Sequence, residues 1–378
     1  MGESGKRTAL PIYSPPRSDD LLAAALVAAR WRSHAKPRRH KGRRLTLQCS
    51  TMSPKTPLRA LVIGAAGRGC VWAQAIKDHP LFNLTGLADL NSDLLQKSSD
   101  ELAIPADQRF GDFHDAVTTG QFDVAFCVAS TTAHFAITTD LLQSGLYCLI
   151  EKPFTLDMDQ ARQLVELARQ KNRVLAVGQN YRFDSVRRFV SSAMQAGELG
   201  PLSSITGQFH RHRPPRPQDV AINYPLLFIQ SIHHLDWLLS MLPASRVVSA
   251  VHGLPSCSQW TSPSVCHVQM QCDDIPISYS GSYEAQGDIS PYGGLWRFAF
   301  ERGDLLIDHD ETVWQVTEQG SKKEKVFTPS KNDPTSEAVL LDTLHAGIVD
   351  SIEPPTSGRQ NLATLQLVFD VIAAGERS

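Results

Sequence analysis

Leu58-Arg59-Ala60-Leu61-Val62-Ile63-Gly64-Ala65-Ala66-Gly67-Arg68-Gly69 is the stretch that decides the fold. Its first half is a short, mostly apolar run that reads as a buried strand, and it stops at a glycine-rich turn. A helix-like stretch, Val71–Asp78, follows, and then a second strand, Leu84–Asp89, which ends in an acid. The alternation continues with Asn91–Glu101 as helix, Phe122–Ala129 as strand, Ala133–Gln143 as helix, Leu146–Ile150 as strand, Met158–Arg169 as helix and Arg173–Val177 as strand. Such regular strand–helix alternation predicts a parallel, doubly wound sheet over residues 57–179.

The texture changes after residue 200. Ser203–Arg213, Val247–Gly253, Ser264–Cys272, Ile275–Tyr283, Trp296–Glu301, Leu305–Asp308 and Thr312–Thr317 are strand-like and separated by turn residues. Consecutive strands of this kind predict a large, mostly antiparallel sheet in a second α/β domain over 180–378. Helices at Ser185–Ala196, Leu226–Leu242, Glu337–Ser351 and Asn361–Glu376 are expected to cover one of its faces.

The 378-residue chain is long enough for these two domains, and no apolar run approaches the roughly 20 residues of a membrane span. The charge is unevenly distributed: residues 1–57 hold twelve Lys/Arg against three Asp/Glu, and the remainder 25 basic against 36 acidic groups. An acidic body argues against nucleic acid as a partner. The basic segment 1–56, densest at Lys36–Arg44, reads as a disordered or non-native leader because it is polar, Pro-punctuated and lacks a core pattern. A targeting sequence and a nucleic-acid arm are the other two readings, and Met52 is a candidate alternative start. Seven scattered cysteines without C-x-x-C spacing read as reduced thiols of a cytoplasmic protein.

A glycine turn between a strand and a helix offers backbone amides at a helix N-terminus, the arrangement that holds a pyrophosphate. The alternative reading is a plain glycine-rich turn, and Ala66 stands where the middle glycine of G-x-G-x-x-G usually is. Asp89, at the end of the second strand, can accept the ribose hydroxyls of adenosine and repel a 2′-phosphate. That favours NAD over NADP, while a helix N-cap is its alternative role. Glu151-Lys152-Pro153 follows another strand, at the edge where an open α/β sheet receives its ligand.

Taken in order, Gly64–Gly69, Asp89, Val128-Ala129-Ser130-Thr131-Thr132-Ala133-His134, Glu151-Lys152-Pro153, Gly178-Gln179-Asn180-Tyr181-Arg182-Phe183, Ser231-Ile232-His233-His234-Leu235-Asp236 and Pro355–Leu362 resemble the Gfo/Idh/MocA family of NAD(P)-dependent oxidoreductases. The resemblance spans roughly 57–376. It implies a Rossmann domain followed by an α/β domain whose sheet often forms an oligomer face, here a homo-oligomer. It also implies hydride transfer between nicotinamide and a polyol, sugar or cyclitol. On this reading Gly64, Ala65, Ala66, Gly67, Arg68, Asp89, Ser130, Thr132, His134, Glu151, Lys152 and Gln179 bind the cofactor. Lys152 and His233 handle the oxygen and the proton, and Asp236, Tyr181 and Arg182 shape the substrate pocket.

The bland alternatives are a solvated loop lysine at 152, a structural histidine at 233 and a helix anchor at Asp236. The family often carries an acid four residues before the histidine. Here that position is Ile229, whose side chain accepts no hydrogen bond, and Gln230 points about 100° away on a regular helix. This departure keeps two further readings open, a non-catalytic dinucleotide-binding regulator and an NAD-recycling eliminase or glycosidase. His210-Arg211-His212-Arg213 alternates along a strand, so one face can meet an anionic or hydroxylated ligand. The pair His210 and His212 lacks a matching Cys or acid cluster, so no metal is expected.

Overall fold

A computed structural model describes residues 56–377 apart from Val220, and the readings of the basic segment before residue 56 lie outside them. The first sheet comprises β1 (Leu58–Ile63), β2 (Phe82–Ala88), β3 (Arg109–Phe110), β4 (Val124–Cys127), β5 (Tyr147–Ile150) and β6 (Leu175–Val177). Its order is β3-β2-β1-β4-β5-β6 and every pairing is parallel. The order reverses beside β1, so the carboxyl ends of β1 and β4 open a crevice where ligands of such sheets bind.

Side-chain alternation along β1 divides it between two cores. Ala60 and Val62 pack with Trp72, Ala73 and Ile76 of α1 (Arg68–Asp78) and Leu95 of α2 (Ser92–Glu101). Leu61 and Ile63 face the opposite layer, with Leu141 and Leu142 of α4 (His134–Gln143) and Leu164 of α5 (Met158–Lys171). The short α3 (Phe113–Thr118) and two-residue β3 were not anticipated from the sequence, because neither is long enough to establish a period.

The second sheet runs β14-β13-β12-β11-β7-β10-β9-β8, with β7 (Leu202–His210), β8 (Arg246–Gly253), β9 (Val265–Cys272), β10 (Ile275–Ser282), β11 (Leu295–Phe300), β12 (Gly303–Ile307), β13 (Val313–Thr317) and β14 (Lys322–Phe327). All its pairings are antiparallel except β7 with β10. β14, with the sequence Lys-Lys-Glu-Lys-Val-Phe, lacks an apolar face and was not foreseen as a strand. Ile205, Phe209, Val268, Ile277, Trp296 and Phe298 line the buried face. They share a core with α6 (Ser185–Ala196), α7 (Ile232–Met241) and α9 (Gly358–Glu376).

One helix corrects the expectation. α8 (Ser336–Asp350) does not cover the second sheet: its Val339, Leu340, Leu341 and Leu344 pack with Trp72, Ile76, Phe82 and Phe126 of the first. Its apolar face was legible, but which sheet it would meet was not. α9 also reaches back, since the segment before it bridges Ser357 to Ala176 and Val177 donates to the Thr356 carbonyl at 2.8 Å.

Candidate active site

The turn after β1 is built by three glycines with different tasks. Gly64 has φ 105° and leaves no room for a side chain, since a Cβ would lie 2.6 Å from the Val128 carbonyl oxygen. Gly69 lets α1 close on the strand, since a Cβ there would lie 1.8 Å from the Gly64 oxygen. Gly67 has φ 49°, and a Cβ on it would point into open space. Ala66 is absent from the residues with positive φ and is exposed, so the departure from glycine imposes no backbone strain. α1 follows the N-cap Gly67 with no side-chain cap and no acid in its first turn, so no side chain competes with an anion there, while the Gly69 amide donates to the Ala66 carbonyl at 2.8 Å.

Asp89 lies just past β2 and tightens this loop. Its Oδ2 accepts the Ala65 amide at 2.7 Å and its Oδ1 the Asn91 amide at 2.8 Å. It is not the cap of the next helix, a task performed by Asn91, whose side chain accepts from Asp93 and Leu94. Ser130 and Thr132 are exposed beyond β4, with their hydroxyls 3.3 Å apart. His134 is buried and spans two carbonyls, its Nδ1 3.0 Å from that of Pro153 and its Nε2 3.2 Å from that of Ala129. Burial lowers its pKa, and as a neutral ring it donates to one of these two carbonyls only.

Gln179, just past β6, is fully buried, and neither amide atom has a partner among the described residues. A buried amide left unpaired costs about 1–3 kcal/mol, so this group is shaped for something the protein itself does not supply. With the open Gly67 and the uncapped helix, it makes the crevice fit a dinucleotide with a carboxamide end.

Glu151 is the buried hub of the cleft. Its Oε2 accepts from Trp72 Nε1 at 2.7 Å and lies 3.7 Å from Arg68 Nε, while Oε1 has no partner. Arg68 also donates to Glu337 at 2.9 Å, and so ties the start of α1 to the start of α8. Neither Glu337 nor Trp72 was singled out in the sequence, because their role depends on α8 returning to the first sheet.

The Lys152–Pro153 peptide is cis, and Lys152 Nζ donates to the backbone carbonyl of Ile229 at 2.7 Å. The residue whose side chain offers no acceptor therefore offers its main chain. Leu227–Ser231 forms a π-helical turn before α7, so a regular-helix projection fails across 229–233. Gln230 is turned toward the second sheet, where its Nε2 donates to the Tyr292 carbonyl at 2.7 Å and to the Tyr181 hydroxyl at 3.4 Å. Burial lowers the Lys152 pKa to about 8; Glu151 opposes this shift and Arg68 and Arg213 add to it.

His233 is buried and stacks on Tyr181, ring centroids 3.9 Å apart and planes 10° from parallel. Its Nδ1 has no partner among the described residues. Burial, then the charge of Lys152, pushes its pKa well below the ordinary histidine value. His234 is locked into the second sheet, with Nδ1 2.9 Å from the Tyr279 hydroxyl and Nε2 2.9 Å from the Tyr292 carbonyl. Asp236 and Arg182, expected at the substrate, hold each other: the guanidinium grips the carboxylate through Nε at 2.7 Å and Nη2 at 2.6 Å. Thr364 donates to the same carboxylate at 2.8 Å and Arg182 to the Pro355 carbonyl at 3.0 Å, which pins α9 to α7.

His210 and His212 are engaged separately, with Ser280 at 2.8 Å and Gln286 at 3.1 Å. Among the described residues no group of three His, Cys, Asp or Glu side chains could hold a metal ion, and no helix is long and apolar enough to cross a membrane.

Comparison with known proteins agrees with this geometry. Residues 58–179 match the model of the GFO_IDH_MocA group, described as an oxidoreductase family with an NAD-binding Rossmann fold. UDP-N-acetylglucosamine 3-dehydrogenase of Acidithiobacillus ferrooxidans is 29% identical over 197 residues, covering 50% of this chain and 56% of that protein. Inositol 2-dehydrogenase of Corynebacterium glutamicum is 27% identical over 207 residues, covering 53% of this chain and 59% of that protein. The chain thus spans little more than half the length of these relatives. An oxidoreductase from Agrobacterium radiobacter, solved with NAD+, L-tartaric acid and magnesium, has the same fold. It superposes with a TM-score of 0.78 at 17% identity, over 85% of this chain and 97% of its own. Residues 58–179 are therefore similar to the NAD-binding Rossmann domain of the Gfo/Idh/MocA oxidoreductases, and the described chain shares the fold of the solved structure.

Proposed function

We propose that this protein is an NAD-dependent dehydrogenase that interconverts an alcohol and a ketone on a polyol, sugar or cyclitol. The observation that carries this reading is Lys152, which follows β5 and donates to the Ile229 carbonyl, four residues before the buried His233. The half-buried ammonium held on the Ile229 carbonyl acts electrostatically on a buried imidazole that burial keeps neutral and whose Nδ1 has no partner among the described residues. The relatives named as dehydrogenases of UDP-N-acetylglucosamine and of inositol supply the substrate class.

NAD, when bound, accepts the hydride that leaves the carbinol carbon. The helix start at Gly67 would hold the pyrophosphate, Asp89 the adenosine ribose hydroxyls, and Gln179, Ser130 and Thr132 the nicotinamide end. Asp89 also gives the preference for NAD, since a 2′-phosphate would lie against its carboxylate. His233, neutral because it is buried, takes the hydroxyl proton as the hydride departs. The Lys152 ammonium stabilises negative charge developing on the same oxygen. Tyr181 keeps the imidazole plane fixed by stacking, and the Arg182–Asp236 pair holds α7 so that His233 keeps its position. The exposed face of the second sheet, carrying Thr206, Gln208, His267, Gln269 and Arg297, serves as the surface of a homo-oligomer. The free described cysteines suit a cytoplasmic enzyme.

The test is NADH formation by the full chain against a panel of sugars and inositols. Turnover that disappears in Lys152→Met while NAD still binds supports the reading. Full activity in that variant overturns it, and tight NAD binding without redox activity on any alcohol or ketone favours a non-catalytic regulator.

A further inference from the structure

Gln230 closes a path of contacts that runs from the second sheet to the buried imidazole of His233. It is itself buried and lies in the π-helical turn Leu227–Ser231, three residues before that histidine. Its Nε2 is 2.7 Å from the Tyr292 carbonyl oxygen and 3.4 Å from the Tyr181 hydroxyl. A carbonyl oxygen only accepts, so the amide end that faces it must be the NH2 group, and this contact settles the side chain's orientation. The second N–H of the same nitrogen is then left for Tyr181. The Tyr181 ring in turn lies flat on His233, with centroids 3.9 Å apart and planes 10° from parallel.

The Tyr292 carbonyl is a fixed point for this path. The Gly294 amide donates to the Pro291 carbonyl at 3.0 Å and the Ser290 amide to the His210 carbonyl at 2.9 Å, which ties the loop to β7. His234 Nε2 lies 2.9 Å from the same Tyr292 oxygen. Burial lowers the His234 pKa to about 3, so the ring is neutral and carries one proton. That proton must be on Nε2, because its partner there can only accept. Nδ1 is then the acceptor for the Tyr279 hydroxyl at 2.9 Å, whose oxygen lies 2.9 Å from that of Ser231. Two side chains on either side of His233 thus grip one main-chain oxygen.

We propose that Gln230 is a positioning residue: anchored on the Tyr292 carbonyl, it holds Tyr181 against His233 and so fixes the plane in which the imidazole meets the substrate oxygen. This rests on the dehydrogenase reading above and adds to it a residue that acts only through another. Tyr181 begins the short helical turn Tyr181–Phe183, outside α7, so nothing within α7 sets the angle between the two rings. His233 Nδ1 has no partner among the described residues, so no hydrogen bond at that atom fixes the ring's rotation. The stack supplies the restraint, and Gln230 secures the stack. The charged and titratable groups that act on His233 are Lys152, His234 and Arg68, with Tyr181 on its ring face, and a change at residue 230 alters none of them.

The experiment compares the full wild-type chain with Gln230→Met, Gln230→Glu and Tyr181→Phe. NADH formation from the panel of sugars and inositols is followed against pH, and the His233 ring is titrated by NMR, assigned with His233→Asn. Gln230→Met keeps the side chain's length without its donors, and the Tyr292 carbonyl keeps His234, so the fold is expected to hold. Its kcat is expected to fall about 10-fold with KM for NAD unchanged. Water reaching the freed ring should raise the His233 pKa toward about 6.5, so an acid limb appears that wild type lacks. Gln230→Glu, a carboxylate that cannot donate, and Tyr181→Phe, a ring without its anchor, are expected to show the same limb. A merely structural glutamine would lower stability and leave the His233 titration where it was, and that result overturns the inference. So does a normal Tyr181→Phe beside an impaired Gln230→Met, which would place the effect in the Tyr292 loop. A wild type that oxidises nothing in the panel overturns the dehydrogenase reading, and the ring titration still decides whether Gln230 holds the stack.

Discussion

Lys152 Nζ donates to the main-chain carbonyl of Ile229 across 2.7 Å, joining the end of β5 to the π-helical turn that leads into α7. This bond holds the ammonium although residue 229 has no acceptor in its side chain. It follows that the hydrocarbon side chain at 229 is dispensable. Ile229→Leu should retain turnover within about twofold, because the acceptor is unchanged, whereas Lys152→Met should lower kcat by about 10²–10³-fold, the scale of a removed oxyanion donor. Steady-state kinetics checks both, and equal losses in the two variants would contradict the assignment.

The pH profile follows from two burial effects. His233 is held well below its ordinary value, so it is already neutral at about pH 6 and supplies no acid limb near 6.5. Lys152 is lowered to about 8, so its charged fraction falls as pH rises through that value. Oxidation should therefore have kcat/KM level between about pH 6 and 7 and declining above about 8. A limb at the usual histidine pKa would contradict the neutral, buried imidazole.

Gln179 makes a prediction with opposite signs for stability and binding. Replacing its unpaired buried amide in Gln179→Met should raise the stability of the cofactor-free protein by about 1–2 kcal/mol while weakening NAD at least tenfold. Denaturant titration with and without NAD reads both. A variant that is less stable and still binds NAD normally would show the amide to be merely structural.

The glycine turn separates folding from binding. Gly67→Ala meets no atom of the protein, yet it adds a methyl group and left-handed strain where the pyrophosphate approaches. NAD affinity should fall more than tenfold with the fold retained. Gly69→Ala would drive a Cβ to 1.8 Å from the Gly64 oxygen and should disrupt the helix–strand contact itself. Circular dichroism alongside NAD titration distinguishes the two outcomes.

Asp236 is expected to act through stability. Asp236→Ala strands the Arg182 guanidinium, 14% exposed, beside α7 and leaves Thr364 without its acceptor. Loss of one partner from a buried pair costs about 3–5 kcal/mol. Urea unfolding should show it, and a loss of activity with unchanged stability would instead place Asp236 at the substrate.

The Rossmann layer was legible because its signals are local. A short apolar run ending at Gly64, an acid ending the next strand, and Lys152 after a further strand each follow from a few neighbouring residues. The order β3-β2-β1-β4-β5-β6 then brings those strand ends to one edge, so a reading by position along the chain was enough to put Asp89, Lys152 and Gln179 at that edge. Contacts that depend on how one segment returns to another were not legible. Amphipathic α8 has the same pattern whichever sheet it covers, and only packing decides that Glu337 meets Arg68. A π-helical turn has no sequence period of its own, so the Ile229 carbonyl and the direction of Gln230 were invisible in the chain. The mutual grip of Arg182 and Asp236, and the unpaired amide of Gln179 among the described residues, likewise came from burial and partner geometry. The sequence by itself determined which residue types could do the chemistry and at which strand ends they stand. The tertiary structure decided which of them are free to act, because a side chain's availability depends on what else reaches it.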